Sequence, residues 1–431
     1  MGGGLLQLVA YGAQDAYLSG NPQITFWKGL FKRHTNFAME PFRVNLSGQP
    51  GWGVKHSAVV GRHADLLYST YLEVVLPPGE LFNNDSYSLG YNLIKYVELD
   101  IGGQVIDRLY GEWLFLWDML SNSFDKRTAL EDAIGLSNSD GGWQTADISN
   151  YPACTNGRPP MPAVVYIPLT FFYTKNPGAA LPLIALQYHE VKINIQWNDA
   201  KFVAGNFNNA KSLKAPVQAA VYIDYIYLDT EERRRMAQQS HEYLIEQTQF
   251  NEDQGVSSAN VRIDLTFNHP VKELVWVVQP ESYTNCSLMT EVGGGNRLKP
   301  FSYDWGSIYE QTLQINGQDR LDKRYGDYFH TVQPLQHHTG AGPGWNKSDW
   351  ADHPDIYCYS FALRPEEHQP SGTCNFSRID TATLVMSFAG KGKWGDDIDV
   401  SPENPWNVRV YAVNYNILRI MSGMGGLAYS N

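Results

Sequence analysis

Ile101-Gly102-Gly103-Gln104-Val105-Ile106-Asp107-Arg108-Leu109-Tyr110-Gly111-Glu112-Trp113 returns almost half of the 431 residues later. The second copy reads Ile315-Asn316-Gly317-Gln318-Asp319-Arg320-Leu321-Asp322-Lys323-Arg324-Tyr325-Gly326-Asp327-Tyr328, one residue longer. Each copy opens on alternating apolar and polar residues, the period of a half-buried strand. Gly102-Gly103 and Asn316-Gly317 then supply two successive positions that tolerate positive φ, as a type I′ hairpin requires. In the first copy, Trp113 to Leu120 reads as a short helix lying across a sheet. A signature repeated at half-length predicts a fold built twice. It also points to scaffold, because catalytic side chains are seldom needed in both halves.

Composition fits that reading. Aromatic residues make up 13% and charged residues only 18%, with 38 Gly and 23 Pro. This is a turn-rich β composition with enough length for two cores. Few charges and many aromatics also suit a protein that buries its outside against neighbours. The net charge of −12 opposes a nucleic-acid wrapping role, which needs a basic face. Two local basic clusters exist: Lys28, Lys32, Arg33 and His34, and Arg233-Arg234-Arg235. The second follows Asp229-Thr230-Glu231-Glu232 and reads as a solvated helix face. Cys154, Cys286, Cys358 and Cys374 form no CxxC pair, so free thiols in a reducing compartment are expected. The start lacks the pattern of a signal peptide, and apolar stretches are strand-sized, so no transmembrane segment is expected.

Residues 1–36 read as an N-terminal arm. Asn21-Pro22 marks a turn; Ile24, Phe26, Trp27, Leu30 and Phe31 then fall at helical spacing, with Lys28 and Lys32 opposite. Eight strands are expected over 42–46, 54–60, 67–76, 93–101, 104–107, 164–172, 189–197 and 218–228, within a domain 37–229. A linker helix at 230–240 follows. Eight more are expected over 242–250, 261–267, 272–278, 307–315, 318–322, 357–363, 382–388 and 408–418, within a domain 241–431. Eight short antiparallel strands per half fit a jelly roll. The expected class is therefore all-β: two tandem eight-stranded antiparallel jelly rolls with short helices and long loops. The long loop 122–162 carries little periodicity and reads as an exposed excursion, and the loops 279–304 and 330–355 are rich in Gly, Pro and Asn.

Catalytic and cofactor patterns are lacking. Gly293-Gly294-Gly295 has no following Lys-Ser/Thr, so it is no phosphate loop. His337-His338 sits in a Gly-rich loop without an evident third ligand, and no metal, cofactor or catalytic residue is expected. His189-Glu190 and His241-Glu242 read as a further structural repeat. Of five Asn-x-Ser/Thr sequons, Asn84, Asn285 and Asn346 are the candidate glycosylation acceptors, with Asn45 and Asn375 as the other matches.

Several runs resemble a known family. Leu8-Val9-Ala10-Tyr11-Gly12-Ala13-Gln14-Asp15 and His241-Glu242-Tyr243-Leu244-Ile245-Glu246-Gln247 are two; the others are 20–26, 33–38, 181–191, 265–270, 369–380 and 414–429. They are similar to the major capsid proteins of nucleocytoplasmic large DNA viruses, above all those of the chloroviruses. The resemblance implies a double jelly roll and a homotrimer whose six barrels make a pseudo-hexagonal capsomer. Such capsomers tile the icosahedral shell of a virion assembled in the host cytoplasm. It implies neighbouring capsomers and inner-face minor capsid proteins as partners, surface glycans as candidates, and no direct nucleic acid. The repeated turn (Gly102, Gly103, Gln104, Asn316, Gly317, Gln318) is then structural. Asn21, Pro22, Phe26, Trp27, Lys28, Lys32 and Arg33 become candidate arm contacts. Two alternatives stand beside it. One is a minor capsid or spike paralogue of the same fold. The other is a jelly-roll carbohydrate-binding protein or glycoside hydrolase using Trp143, Trp305, Trp345 or Trp350.

Overall fold

The computed structural model describes residues 3–27, 29, 31–77, 89–134, 163–204, 213–285, 300–301, 303, 306–340, 355–390 and 398–430. Residues 1–37 and 38–431 form separate units. The first unit holds two short helices, Gly3–Val9 and Asp15–Ser19. Asp15 Oδ2 accepts the Gly12 N–H at 2.7 Å, and the Gly20 N–H closes the second helix on Ala16 O. The helix expected after Pro22 does not form over the described residues 24–27, 29 and 31–36, which are irregular and exposed. Asn21 takes φ 50°, and β-branched Ile24 and Thr25 disfavour a helix too short to persist without a partner.

In the second unit, whose first strand begins at the boundary residue Phe37, the duplication is explicit. The first half contains β1 Phe37–Asn45, β2 Lys55–Val59, β3 Leu66–Leu76, β4 Ile94–Ile101, β5 Gln104–Tyr110, β6 Ala163–Pro168, β7 Leu181–Pro182, β8 Val191–Trp197 and β9 Gln218–Leu228. The second contains β10 His241–Val256, β11 Asn260–Asp264, β12 Pro270–Pro280, β13 Ile308–Ile315, β14 Gln318–Asp319, β15 Arg324–Tyr325, β16 Tyr357–Ser360, β17 Cys374–Asn375, β18 Ala382–Phe388, β19 Trp406–Met421 and β20 Met424–Leu427. The first half pairs its strands as β1-β9-β3-β6 and β2-β8-β4-β5; the second as β10-β19-β12-β16 and β11-β18-β13-β14. The order is the same, position for position. Even the short strands correspond, since β7 pairs with β3 as β17 pairs with β12. All the pairings with a resolved register are antiparallel, and two sheets per half, each with four strands in its main path, make each half a jelly roll.

Departures from the expected elements have local causes. The strand expected over 164–172 ends at Pro168, and Phe172–Lys175 forms a helical turn whose Thr174 hydroxyl donates to Phe171 O. The strand over 357–363 stops at Ser360, whose Oγ donates to Ala362 O. The strand over 318–322 stops after Asp319 as β14, and pairing resumes only at β15, Arg324–Tyr325. The extra residue of the second copy lies in that break, and Thr312 Oγ1 donates to Leu321 O across it at 2.8 Å. The helix Phe124–Ile134 falls inside the stretch read as an excursion, and β20 was not expected. The linker helix spans Thr230–Gln238; Arg233 Nε lies 2.8 Å from buried Asp65 Oδ1, so that side chain is anchored, not merely solvated.

One apolar cluster fills the second barrel. The other fills the first barrel and continues onto the outer face of the second barrel's sheet, through Val275, Val277, Tyr411 and Val413. Strands β12 and β19 are therefore buried on both faces and read as continuous apolar runs.

Candidate assembly site: the repeated turn and the joint between the barrels

Gly102 and Gly103 take φ of 63° and 89°, and Asn316 and Gly317 take 50° and 76°. Both turns have the type I′ signs. Their neighbours explain why the first position differs. A side chain on Gly102 would overlap the His189 ring, and the Gly102 N–H donates to Glu190 O at 2.8 Å. Asn316 instead uses its side chain: Oδ1 accepts from Asp380 N and Thr381 N at 3.0 and 3.1 Å. Both turns thus fasten to the chain just before β8 or β18. The following Tyr-Gly is also repeated for a packing reason. A Cβ on Gly111 would overlap Ile94 O, and one on Gly326 would overlap Ile308 O.

The first turn carries an additional clasp. Gln104 Oε1 accepts from Leu427 N at 3.3 Å, and His189 Nδ1 lies 3.0 Å from Gly425 O. The C-terminal hairpin, turned by Ser422 and Gly423 at positive φ, therefore grips the first barrel. Gln318 pairs with Ile315 across its own hairpin. His189 and His241 are not equivalent, contrary to the expectation of a repeat. His189 precedes β8, whereas His241 starts β10, the counterpart of β1, and sits 2.7 Å from Met236 O.

Between the barrels lies the helix Gly111–Ser121. Trp113, Leu114, Phe115, Leu116, Trp117, Met119 and Leu120 are all buried, as befits a helix covered on every side. Its Glu112 meets Arg409 of β19 in a bidentate pair, with Nε–Oε2 and Nη2–Oε1 both 2.7 Å. The hydroxyls of Tyr303 and Tyr411 donate to the same carboxylate at 2.7 and 2.6 Å. Burial lowers the Arg409 pKa, but Glu112 outweighs it and keeps the guanidinium charged. Tyr110 packs against Phe250 with a tilted ring and against Tyr411 edge-on, with ring centroids 4.7 and 6.1 Å apart. A second ionic cluster joins Lys175, Glu246 and Lys272, at 3.1 and 2.6 Å. Burial pushes the Glu246 carboxyl up, yet Lys175 and Lys272 together hold it down at about 2. Along this joint a polar cleft of about 370 Å³ is lined by β5, β10 and Leu427. Asp107 is its one carboxyl, and burial raises it to about 6.

A buried group of metal-ligating side chains also comes together: Glu273, His338 and Cys358, with ligand atoms all within 4.8 Å of one another. The sequence offered His338 without a third ligand because Glu273 and Cys358 are remote in the chain. Cys358 and Cys374 are free thiols; Cys154 and Cys286 lie outside the described residues.

The other expected site residues are dispersed. Asn21, Pro22, Phe26, Trp27, Lys32 and Arg33 are exposed on the arm, Phe26 by 104%, and Lys28 lies outside the described residues. Asn285 donates from Nδ2 to Glu281 Oε1 at 2.8 Å. Asn84 and Asn346 lie outside the described residues, as do Trp143, Trp305, Trp345 and Trp350. Among the described residues no helix is long and apolar enough to cross a membrane.

Two jelly rolls in tandem, fused through a shared core, define the class as double jelly-roll capsid proteins. Residues 25–229 match the family described as major capsid protein N-terminus, and residues 232–426 match large eukaryotic DNA virus major capsid protein. The chain is 44% identical to the major capsid protein of Pyramimonas orientalis virus and 40% identical to that of Phaeocystis pouchetii virus, with all of each chain covered. It also superposes on a solved structure described as PBCV-1 VP54 fitted into a cryo-EM reconstruction of the virophage Sputnik. There the TM-score is 0.76 at 34% identity, covering 94% of this chain and 100% of the other. The chain belongs to the major capsid proteins of large eukaryotic DNA viruses and is a structural component of the virus capsid.

Proposed function

We propose that the chain works as a homotrimer, a pseudo-hexagonal capsomer with no catalytic role, in which each barrel covers the sheet of the next. One observation carries this reading. The second barrel's sheet β10-β19-β12-β16 is covered by the first barrel's turn and helix, so that Tyr411 is 1% exposed and Val277 0%. The matching face of β1-β9-β3-β6 carries Tyr71, Glu73, Tyr222 and Asp224, only half-buried, with Tyr166 exposed beside them. Tyr222 stands opposite Tyr71 as Tyr411 stands opposite Val275. The segment that would cover it by analogy is also free in part. Tyr325, the counterpart of Tyr110, is 62% exposed, and Leu335 on the following helix is 77% exposed. Acidic Glu73 and Asp224 on one surface suit exposed Arg320 and Arg324 on the other. Three copies joined this way close a ring, since a head-to-tail contact repeated by a closing rotation does so.

On this reading the chain divides into arm 1–36, barrels 37–229 and 241–431, and linker 230–240. The turn residues Gly102, Gly103, Gln104, Asn316, Gly317 and Gln318 are barrel corners. The exposed apolar arm residues Ile24, Phe26, Trp27 and Phe31 engage neighbouring capsomers or inner-face minor capsid proteins, in a shell assembled in the host cytoplasm. The solution mass tests the trimer: three times 48.6 kDa supports it, and a stable monomer overturns it. Deleting residues 2–30 is expected to leave trimers and stop shell assembly; unimpaired shells would remove the arm's role.

A further inference from the structure

We propose that Glu273, His338 and Cys358 form a structural site for a zinc-class divalent cation at the edge of the joint between the barrels. The three ligands come from separate pieces of the fold. Glu273 lies on β12, Cys358 on the adjacent β16, and His338 caps the helix Gln333–His337. Val275 is paired with Cys358, which places Glu273 and Cys358 two positions apart along the same ladder and on one face. The side chains of Glu273 and His338 are both 0% exposed, and Cys358 is buried as well.

The imidazole is set as a ligand would be. Its Nδ1 lies 3.1 Å from Glu366 Oε1, and that carboxylate is itself fixed by the Thr339 N–H at 2.9 Å and by the Thr339 hydroxyl. A histidine whose Nδ1–H is held by a carboxylate presents the lone pair of Nε2 inward, the usual arrangement behind a metal-bound imidazole. Here Nε2 directly abuts Glu273 Oε1, so with hydrogen on Nδ1 alone two acceptors would face each other. A proton or a cation must lie between them. The second carboxylate oxygen, Glu273 Oε2, is buried with no hydrogen-bond partner. An orphaned carboxylate oxygen in a sealed pocket is costly unless something positive meets it. A proton on Nε2 answers Oε1 only; a cation answers both carboxylate oxygens.

Imidazole, thiolate and a two-oxygen carboxylate make four donor atoms, a mixture that selects zinc over calcium or magnesium. Ligand atoms around tetrahedral zinc stand roughly 3.5 Å apart, so on binding the abutting Nε2 and Glu273 Oε1 part while the wider pairs close in. Charge balances. Without metal, Nε2–H and the Cys358 thiol each hold a proton. The dication displaces both to solvent and the net charge of the pocket is unchanged. A bound dication holds the coordinating sulfur as the thiolate. The cation's effect would be mechanical. The Trp117 ring of the first barrel meets the His338 ring edge-on at 6.3 Å, and Gly340 N donates to Leu120 O at 2.8 Å. Fixing His338 to β12 and β16 fixes the loop that holds the first barrel's helix.

The test uses the full chain, expressed with zinc in the medium and dialysed as the folded protein. Elemental analysis is expected to find one zinc per chain, and zinc-edge absorption is expected to show one sulfur among nitrogen and oxygen neighbours. Cys358→Ser and His338→Gln should each fall to trace metal. Where a variant does not fold, wild-type protein refolded with cobalt(II) supplies the readout, through a thiolate-to-cobalt charge-transfer band. Trace metal in the wild type, zinc without a sulfur neighbour, or cobalt without that band would overturn the proposal. The pocket would then be a proton-bridged Glu273–His338–Glu366 cluster.

Discussion

The two outward sheets, β1-β9-β3-β6 and β10-β19-β12-β16, share one strand order and differ in what covers them. In the second, β19 is buried along nearly its whole length, and its outward residues Arg409, Tyr411 and Val413 pack under the first barrel. In the first, the corresponding strand β9 keeps Tyr222 and Asp224 half-open to solvent. The aromatic stacking is retained on the open face: the Tyr71 and Tyr222 rings lie 5.2 Å apart at 4°. In the proposed trimer, one chain contains both a completed joint and the two halves of another that a neighbouring chain fills. Duplicated barrels make this economical, because one packing solution serves within a chain and between chains.

The largest effect expected from breaking the completed joint is in stability. Glu112→Ala leaves Arg409 and two tyrosine hydroxyls buried without their acceptor, and should cost about 3–5 kcal/mol in urea unfolding. Glu73→Ala, on the open face, should cost less than about 1 kcal/mol in an isolated chain. If both changes cost the same, the two faces are not distinguished as described.

Acid should loosen the completed joint next. The Glu246 carboxyl is held at about 2, below its ordinary value. A depressed carboxylate stabilises the fold fully above its unfolded pKa and loses that contribution as pH falls through the folded one. The window runs from about 4.5 down to about 2, and the loss is on the order of 3 kcal/mol. Stability measured across that window should drop in the wild type and run flatter in Glu246→Gln.

The open half should respond differently. Tyr222→Arg is expected to convert trimers to monomers while shifting the unfolding midpoint by no more than about 0.5 kcal/mol, since a half-exposed site has no core to disturb. The smallest effect compares the turns. Asn316→Gly removes two hydrogen bonds but keeps the positive φ, for a loss of about 1 kcal/mol. Gly102→Asn should cost more, because His189 occupies the space.

Much of the fold was legible. The type I′ dipeptides, the period-2 runs and the repeated Tyr-Gly gave two barrels, because these signals are local. Strands 218–228 and 382–388 were located to the residue, each bounded by turn chemistry. The arm helix after Pro22 was misread because spacing without a partner does not make a helix. β20 hides behind Ser422-Gly423, a turn signal readable only once β19 is known to continue to Met421. The joint was not legible at all. Glu112 and Arg409 are ordinary charges in sequence, and nothing local links them across the chain. The same holds for Glu273, His338 and Cys358, where the histidine alone drew notice.

The claim that one chain holds an unfilled copy of its own joint is tested most directly by a photo-crosslinking residue at position 222 in the full-length protein. Mass spectrometry of the linked product should find it joined to a second chain through the segment 320–337, with Tyr325 near the attachment. A product that links to another chain's first barrel, or no interchain product from a particle of trimer mass, would contradict the account.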